Sequence, residues 1–298
     1  MVSSMKTAIW MLFVLLLLDP FVSYADDFTG TRALGMGGAH RAIVTSNDAI
    51  YLNPAGMSLF RRYSFEGQYL ITPNYGFEEG PSQHVFNASV VDNQIQVFAT
   101  GLAYTRVERN DDKKGNRFDL AFSYGLTDTL LIGTDVKYIN FDRAEKEDAI
   151  NAVAVDVGLL IRTDFGLSLG CVGYNLTNPA DYTEHPVSMA AAIMYAPFRA
   201  LELSFDWFIT FQKLKDITNP QGDKETGYSY HLGAEYLLLG QFTLRAGYEF
   251  NQVLPEDDHF WSAGIGYINP SIALDFGYRG SVNHKWDNTF AVGLRLFM

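Results

Sequence analysis

From Tyr63 to Met298 the chain alternates hydrophobic and polar residues in segments of about ten, the length that a tilted strand needs to cross a bilayer. In Phe242 to Asn251, for example, each large apolar residue is followed by a polar or small one. Period 2 indicates a β-strand with two different environments. The pattern predicts about 14 strands, with approximate centres at Gly67, Ala88, Gly101, Phe122, Val136, Val157, Gly170, Ile193, Phe205, Gly233, Ala246, Ile265, Phe276 and Gly293.

The connections between these segments are alternately long and short. Long connections on one side and tight turns on the other are typical of an outer-membrane β-barrel, and an even strand number puts both termini in the periplasm. Such a barrel belongs in the cell outer membrane of a Gram-negative-type bacterium, in contact with outer-membrane lipids. The predicted outer loops are Thr72 to His84, Glu108 to Asn116, Asp142 to Asp148, Asn175 to Pro186, Gln212 to Gly227, Asn251 to Asp258 and Gly280 to Asn288.

The two faces of the strands differ in composition. A soluble β-sandwich also alternates, but here one face is large and apolar while the other is small or charged, as expected for lipid and for a crowded polar lumen. His231 falls on the inward face, where we interpret it as part of a polar network. Buried charges are normally paired, so mixed signs predict a salt-bridged wall. The predicted inward charges are Asp135, Lys137, Asp156, Arg162, Glu202, Asp206, Glu235, Arg245, Glu249, Asp275, Arg279 and Arg295.

Two strands carry additional signals. In the third strand the alternation slips phase, since Val97 and Ala99 fit one face but Leu102 and Tyr104 the other; a bulge or kink at Gly101 would explain it. The final strand ends at the last residue of the sequence. This position predicts that the barrel-insertion machinery recognises the strand.

The first 25 residues have the features of a secretory signal peptide, with a short apolar run from Ala8 to Leu18 and an expected cleavage before Asp26. No later stretch approaches the ~20 apolar residues of a spanning helix. The chain has 22 Lys and Arg against 34 Asp and Glu, which argues against nucleic acid as a partner. Cys171 is the only cysteine, so an internal disulfide is excluded.

Residues 26–60 do not alternate and are rich in Gly and Ala. A 14-stranded barrel is too wide for its own side chains to fill, and small residues favour close packing inside a lumen. We therefore predict that residues 26–60 form a plug, or hatch, and that residues 61–298 form the barrel. A pocket between hatch and wall would be lined by Phe28, Leu34, Met36, Ile50, Leu52 and Met57.

Two stretches of this segment, Ala33 to Ala39 and Asp48 to Gly56, resemble the N-terminal hatch of the FadL family of long-chain fatty-acid transporters. They are also similar to the hatch of the PorV/PorQ-type barrels of type IX secretion. The resemblance implies an all-β, 14-stranded transmembrane barrel with the hatch in its lumen. In transport members, hydrophobic molecules leave sideways where the third strand kinks. The matching positions are Gly35, Gly37, Gly38, Asp48, Asn53, Pro54, Ala55 and Gly56.

Three functions remain open on these grounds. The first is passive transport of hydrophobic small molecules, long-chain fatty acids or similar, across the outer membrane. The others are an assembly or secretion partner of an exported protein, and a plugged structural porin. Unlike the transporters' hydrophobic outer loops, the predicted loop Gln212 to Gly227 is polar. No enzyme signature occurs, the six histidines lack metal-site spacing, and no metal, nucleotide or redox cofactor is implied.

Overall fold

A computed structural model describes residues 28–75, 78–94, 98–110, 114–141, 150–177, 186–216, 219–253 and 256–298. The predicted signal peptide lies outside these residues. Three short helical segments come first: α1 Thr31–Leu34, α2 Ala49–Leu52 and a 3₁₀ helix Pro54–Leu59. The strands that follow are β1 Tyr63–Thr72, β2 Gln83–Asp92, β3 Ala99–Arg109, β4 Lys114–Gly125, β5 Leu130–Phe141, β6 Ile150–Arg162, β7 Leu167–Tyr174, β8 Val187–Phe198, β9 Leu201–Asp216, β10 Asn219–Leu238, β11 Phe242–Val253, β12 Glu256–Ile268, β13 Ile272–Ser281 and β14 Asn288–Phe297.

The strands form one closed antiparallel barrel in which each strand pairs with its neighbours in sequence. The ring closes where β1 pairs with β14 over Ser64 to Ile71, opposite Phe297 to Phe290. The amide of Met298 donates to the carbonyl of Tyr63 at 3.0 Å, so the start of β1 and the end of the chain lie side by side. The predicted 14-stranded barrel is confirmed. Among the described residues, no helix is long and apolar enough to span a membrane.

The predicted difference between the two strand faces is also found. On β14, Phe290, Val292 and Leu294 are exposed on the outside, whereas Ala291 and Arg295 are buried on the inside. The same alternation of buried and exposed residues runs along β4, β5, β8 and β13. An apolar exterior around a polar interior is the arrangement that lipid surroundings require of a barrel.

The predicted inward charges lie inside the barrel, with one exception. Arg162 is exposed although it shares the alternation of the inward residues Asp156 and Leu160, because it is the last residue of β6. Its guanidinium carbon lies 5.9 Å from the ring of Phe60. Glu202 and Arg279 are half-buried. The remaining nine are buried.

The two ends of the barrel differ. The short-turn end carries the chain terminus and tight connections such as residues 126–129 and 199–200. At the opposite, long-loop end, two of the predicted loops are wrong. Gln212 to Gly227 is mostly a hairpin, since β9 and β10 pair from Asp216 and Asn219 onward, and β11 and β12 leave only residues 254–255 of Asn251 to Asp258. Backbone pairing continues there without the alternation that the sequence pattern detects.

The predicted bulge at Gly101 is wrong, whereas a kink there, which continuous pairing does not exclude, stays a prediction. β3 pairs with β2 and β4 in unbroken register through this residue. Ala99, Gly101 and Ala103 all face inward, and Leu102 and Tyr104 face outward. The phase slip arises because the small inward residue Ala99 counts as apolar in the sequence pattern.

Residues 28–60, hereafter the N-terminal segment, lie against inward faces on several sides of the barrel. The contacts are close because the wall carries glycines where the segment touches it. A Cβ at Gly247 would lie 2.2 Å from the amide nitrogen of Gly37, and a Cβ at Gly133 would lie 2.4 Å from that of Ala55. These distances are far inside van der Waals contact, so backbone packs directly on backbone. The inward glycines that meet the segment are Gly101, Gly133, Gly158, Gly170, Gly233, Gly247, Gly264, Gly277 and Gly293.

Gly247→Ala should therefore push the N-terminal segment away from β11. The expected loss in the free energy of unfolding is about 1–3 kcal/mol, the usual cost of overpacking, with faster hydrogen exchange at residues 34–39. Urea titration of the barrel in detergent and exchange mass spectrometry would measure both effects.

Gly67→Ala is the matched control, since Gly67 has nothing within 4 Å of its would-be Cβ. It should change the free energy of unfolding by less than about 0.5 kcal/mol. Equal effects of the two substitutions would contradict the close backbone packing.

Candidate functional site

The first motif of the N-terminal segment is a tight turn after α1. Gly37 and Gly38 have φ of 66° and 78°, a left-handed conformation that favours glycine. The Gly38 amide donates to the carbonyl of Ala33 at 2.9 Å, which closes the helix end. A Cβ at Gly37 would lie 2.7 Å from the amide nitrogen of Tyr248. The glycines therefore allow the turn and also let it lie flat on the wall.

His231 is the wall partner of this turn. Its Nδ1 lies 2.7 Å from the carbonyl oxygen of Gly37, and its side chain is buried. The residue faces inward on β10, as predicted, and contacts the glycine motif directly. The geometry gives it a positioning role for the turn.

The second motif, Asn53 to Gly56, is tied to both the segment and the wall. The Oδ1 of Asn53 accepts from the amide of Ala55 at 3.2 Å and so caps the 3₁₀ helix, which Pro54 begins. Its Nδ2 donates to the carbonyls of Arg41, at 2.9 Å, and Leu159, at 3.2 Å. One side chain therefore joins three parts of the chain.

Asp48 occupies a fully buried position between the segment and β1. Its Oδ1 accepts from Nε2 of Gln68 at 2.8 Å, and the same Gln68 accepts the amide of Thr31 at 2.6 Å through Oε1. Its Oδ2 has no hydrogen-bond partner. Burial, followed by the nearby charge of Glu66, raises the pKa of Asp48 to about 7. A carboxyl group that titrates near neutrality thus sits inside the packed segment.

The six residues predicted to line a hydrophobic pocket are packed together with their neighbours. Phe28 is half-buried and meets the ring of Tyr51 edge-on, with centroids 5.0 Å apart. The other five, Leu34, Met36, Ile50, Leu52 and Met57, are at most 5% exposed. Ile50, Leu52 and Met57 belong to one hydrophobic cluster that reaches Ala99, Ala103 and Ala121 of the wall. In this arrangement they form a core, and neither of the two cavities described below is lined by any of them.

The predicted salt-bridged wall is found, and Arg32 joins the N-terminal segment to it, a connection that sequence reasoning missed. Arg32 pairs with Glu235 at 2.7 Å and with Glu202 at 3.2 Å. This charge chain continues along the wall through further pairs of alternating sign. These pairs are Arg245 with Glu235 at 2.5 Å, Arg245 with Asp275 at 2.7 Å, Arg295 with Asp275 at 3.8 Å and Arg295 with Glu66 at 2.7 Å.

Arg41 makes a second attachment that the sequence did not reveal. Its guanidinium pairs with Asp206 at 3.2 Å and donates through Nε to the hydroxyl of Tyr174 at 2.9 Å. The backbone amides of His40 and Arg41 also donate to Asp206, at 3.1 and 3.0 Å. Burial, followed by the charge of Arg32, holds the pKa of His40 well below its ordinary value, so its imidazole is neutral.

The sequence did contain one signal for both attachments. Arg32 and Arg41 are arginines in a segment of small residues that we predicted to be buried. A buried guanidinium needs a carboxylate. The partners lie 165 to 203 positions away in sequence, so no local pattern could identify them.

Solved structures of the same architecture cover nearly the whole chain. A Pseudomonas aeruginosa FadL homologue aligns with a TM-score of 0.62 at 13% identity, covering 91% of this chain and 97% of that one. The Pseudomonas putida toluene transporter TodX aligns with a TM-score of 0.63 at 14% identity, covering 92% and 98%. The fold is FadL-like. By sequence, no protein-family model and no functionally characterised protein matches the chain.

The FadL-like barrel has a recess of about 340 Å³ at its short-turn end. Arginines and carboxylates of the charge chain form its inner surface, and apolar side chains such as Phe60, Leu237 and Ile268 form the rest. Arg62 and Arg199 also line it. Burial, followed by the charges of Arg295 and Arg32, lowers the pKa of Arg62 to about 10, so this side chain stays positively charged at neutral pH.

A second cavity lies on the lipid-facing side of the FadL-like barrel. This outer groove, of about 610 Å³, is bordered by large outward side chains of neighbouring strands, among them Leu102, Phe118 and Tyr138. It includes Ala88, whose partner on β1 is Gly67.

The position of Asp48 predicts a pH dependence. A buried carboxyl whose pKa rises from 3.8 to about 7 binds more protons in the packed state than in the unfolded chain over that interval. Stability is therefore full at low pH and is lost as pH rises through 7. Between pH 6 and pH 8 the loss should be about 1.4 kcal/mol, or about tenfold in the opening equilibrium. Hydrogen exchange at residues 49–53, corrected for intrinsic rates, would measure it.

Asp48→Asn should remove this slope, because the amide oxygen still accepts from Gln68 but does not ionise in this range. Asp128→Asn, at an exposed turn position, should keep the slope of the unmodified protein. A pH slope that persists in Asp48→Asn would assign it to another group.

Proposed function

We propose that this protein is an outer-membrane channel for passive movement of hydrophobic small molecules, with the N-terminal segment acting as its hatch. The observation that carries the proposal is the combination of a FadL-like barrel with a segment that fills its interior through close glycine contacts. The solved relative TodX is described as a toluene transporter, which supports a small hydrophobic cargo. The apolar exterior supports a location in the outer membrane, and the short-turn end with the chain terminus then faces the periplasm.

Passage requires the hatch to shift between packed arrangements, since five of the six residues predicted to line its pocket are at most 5% exposed. The wall beside the outer groove supports a sideways route. There the inward residues of β3 are small, and a Cβ at Gly101 would lie 2.7 Å from the sulfur of Met57. Movement of Met57 and Ile50 would uncover this part of the wall. The continuous pairing of β3 indicates that the route is closed in the present arrangement.

A disulfide between hatch and wall tests the proposal. A Cβ at Gly293 would lie 3.4 Å from the Cβ of Thr31, close to the separation found in disulfides. The variant Thr31→Cys/Gly293→Cys, in a Cys171→Ser background, should take up toluene or a long-chain fatty acid when reduced. Oxidation should lower uptake at least tenfold, because the hatch is then fixed to β14. Uptake would be measured in Gram-negative host cells that lack their own FadL-type channel.

The reduced form of the same variant is the control for folding, and each single-cysteine variant is the control for oxidation itself. Uptake that is equal in oxidised and reduced cells would show that the hatch does not move at Thr31. Uptake no greater than that of cells without the protein would overturn the transport function.

A second candidate function, a partner for an exported protein, is favoured by the hairpin of β9 and β10. Pairing of β8 with β9 begins at Phe211, and pairing of β11 with β10 stops at Tyr228. The two strands therefore project beyond their neighbours at the long-loop end. A hairpin that stands clear of the barrel is suited to contact another protein.

Replacement of residues 213–224 by a short Gly-Ser turn distinguishes the two functions. A secretion partner predicts that a native protein co-purifies with the intact barrel and is lost from the shortened one, while hydrophobic uptake is unaffected. A transporter predicts no such loss. Mass spectrometry of barrels purified from native membranes would decide between them.

A further inference from the structure

The charges around the short-turn recess are not balanced. Three arginines of the charge chain, Arg32, Arg245 and Arg295, each pair with two carboxylates. The carboxylates that serve them are Glu66, Glu202, Glu235 and Asp275. With Arg62 and Arg199 added, five arginines line the recess against three carboxylates, because Glu66 pairs with Arg295 without lining it. The lining therefore carries an excess of positive charge.

The excess resides on Arg62 and Arg199. Arg62 donates through one terminal nitrogen to the carbonyl of Thr45, and its guanidinium stacks on the rings of Phe60 and Phe297, at 5.4 and 4.7 Å. Among the described residues neither Arg62 nor Arg199 has a carboxylate partner. Stacking leaves the in-plane N–H donors of Arg62 available toward the recess, and a guanidinium presents such donors in the geometry that suits an oxyanion.

The recess also has an apolar lining. Leu237, Ile268 and Ala273 contribute to it together with the ring of Phe60, on which Arg62 stacks. A site that combines unpaired guanidinium groups with apolar side chains fits a ligand with an anionic group and an apolar part.

We propose that the short-turn recess binds a monoanionic amphiphile, with its oxyanion on Arg62 and Arg199 and its apolar part against Leu237 and Ile268. A volume of about 340 Å³ admits a compact apolar group, and a longer chain would extend out of the open side. The site is separate from the apolar core of the hatch, and the proposal stands whether or not the barrel transports its ligand.

Hexanoate and 1-hexanol are suitable probes, since they share an apolar part and differ in the charged group. Calorimetric titration of the full-length barrel in a non-ionic detergent, at low salt and pH 7.5, should show saturable binding of hexanoate above an empty-micelle blank. Arg62→Gln should weaken this binding at least tenfold, and Arg199→Gln several-fold. 1-Hexanol should bind at least tenfold more weakly than hexanoate.

Arg61→Gln is the matched control. Arg61 precedes Arg62 in the chain, is exposed and does not line the recess, so this substitution should change the affinity less than twofold. Heat-modifiable migration in gels would confirm that every variant is a folded barrel. Equal weakening by Arg61→Gln and Arg62→Gln would overturn the site, as would equal binding of 1-hexanol and hexanoate.

Inorganic phosphate separates an amphiphile from a bare anion. Weak or undetectable binding of phosphate, beside saturable binding of hexanoate, supports the amphiphile. Phosphate that binds as tightly as hexanoate would overturn the role of the apolar side. Because these titrations need no transport, loss of uptake with intact binding would count against the proposed channel and leave the recess site unaffected.

Discussion

The close approach of one backbone to another inside the barrel is the constraint on which this structure depends. Nine strands each place a glycine inward where the N-terminal segment touches the wall. Gly35 and Gly264 are an example in which both sides lack a side chain, and a Cβ on Gly35 would lie 3.1 Å from the Cα of Gly264. A wall of ordinary residues would leave no room for a segment with three helical turns. The glycines therefore set the inner dimensions, and the width of the barrel matches its contents.

Close packing alone does not fix the segment in one position, because apolar contacts have little directionality. The buried charges supply the direction. Arg32 and Arg41 reach carboxylates on β9 and β10, and a displacement of either guanidinium would leave a buried carboxylate without its partner, which is costly. The ion pairs are thus better understood as determinants of register than as a source of net stability. Asp48 adds a hydrogen bond with Gln68 of β1, and ionisation of its buried carboxyl beside Glu66 destabilises the packed arrangement.

Much of this arrangement could be predicted from the sequence, and the failures have identifiable physical causes. The alternation of every second residue correctly places Asp135, Glu235 and Arg245 inside the barrel. It does so because inward positions face a polar lumen and outward positions face lipid. The same pattern fails for Gln212 to Gly227, where strands continue beyond the region in which one face must be apolar. It also fails at Gly101, because Ala99 is apolar by composition and yet is required inside for its small size.

The candidate site was less predictable than the fold. Composition showed that Leu34, Met36 and Ile50 would be buried, but burial does not distinguish a core from the lining of a cavity. The partners of Arg32 and Arg41 depend on which strands meet across the barrel, and that follows only from the closed ring. The same holds for the recess. Arg62 and Arg199 are distant in sequence and share one cavity only because the start of β1 and the β8–β9 turn lie at the same end of the closed ring.

The attachments of the N-terminal segment are unevenly distributed, and this bears on how it can move. Arg32 and Arg41 bind it through charge to β9 and β10, whereas Met57 and Ile50 meet Gly101 of β3 through apolar contacts. Separation of an ion pair inside a barrel costs free energy, because each charge is left buried without its partner. Separation of apolar surfaces costs less when a hydrophobic molecule takes the place of the lost apolar contact. The side of the segment nearest β3 is therefore the side that a hydrophobic molecule can displace at least cost. The outer groove lies on the same part of the wall, so the displacement of the segment that costs least occurs beside this apolar groove of the exterior.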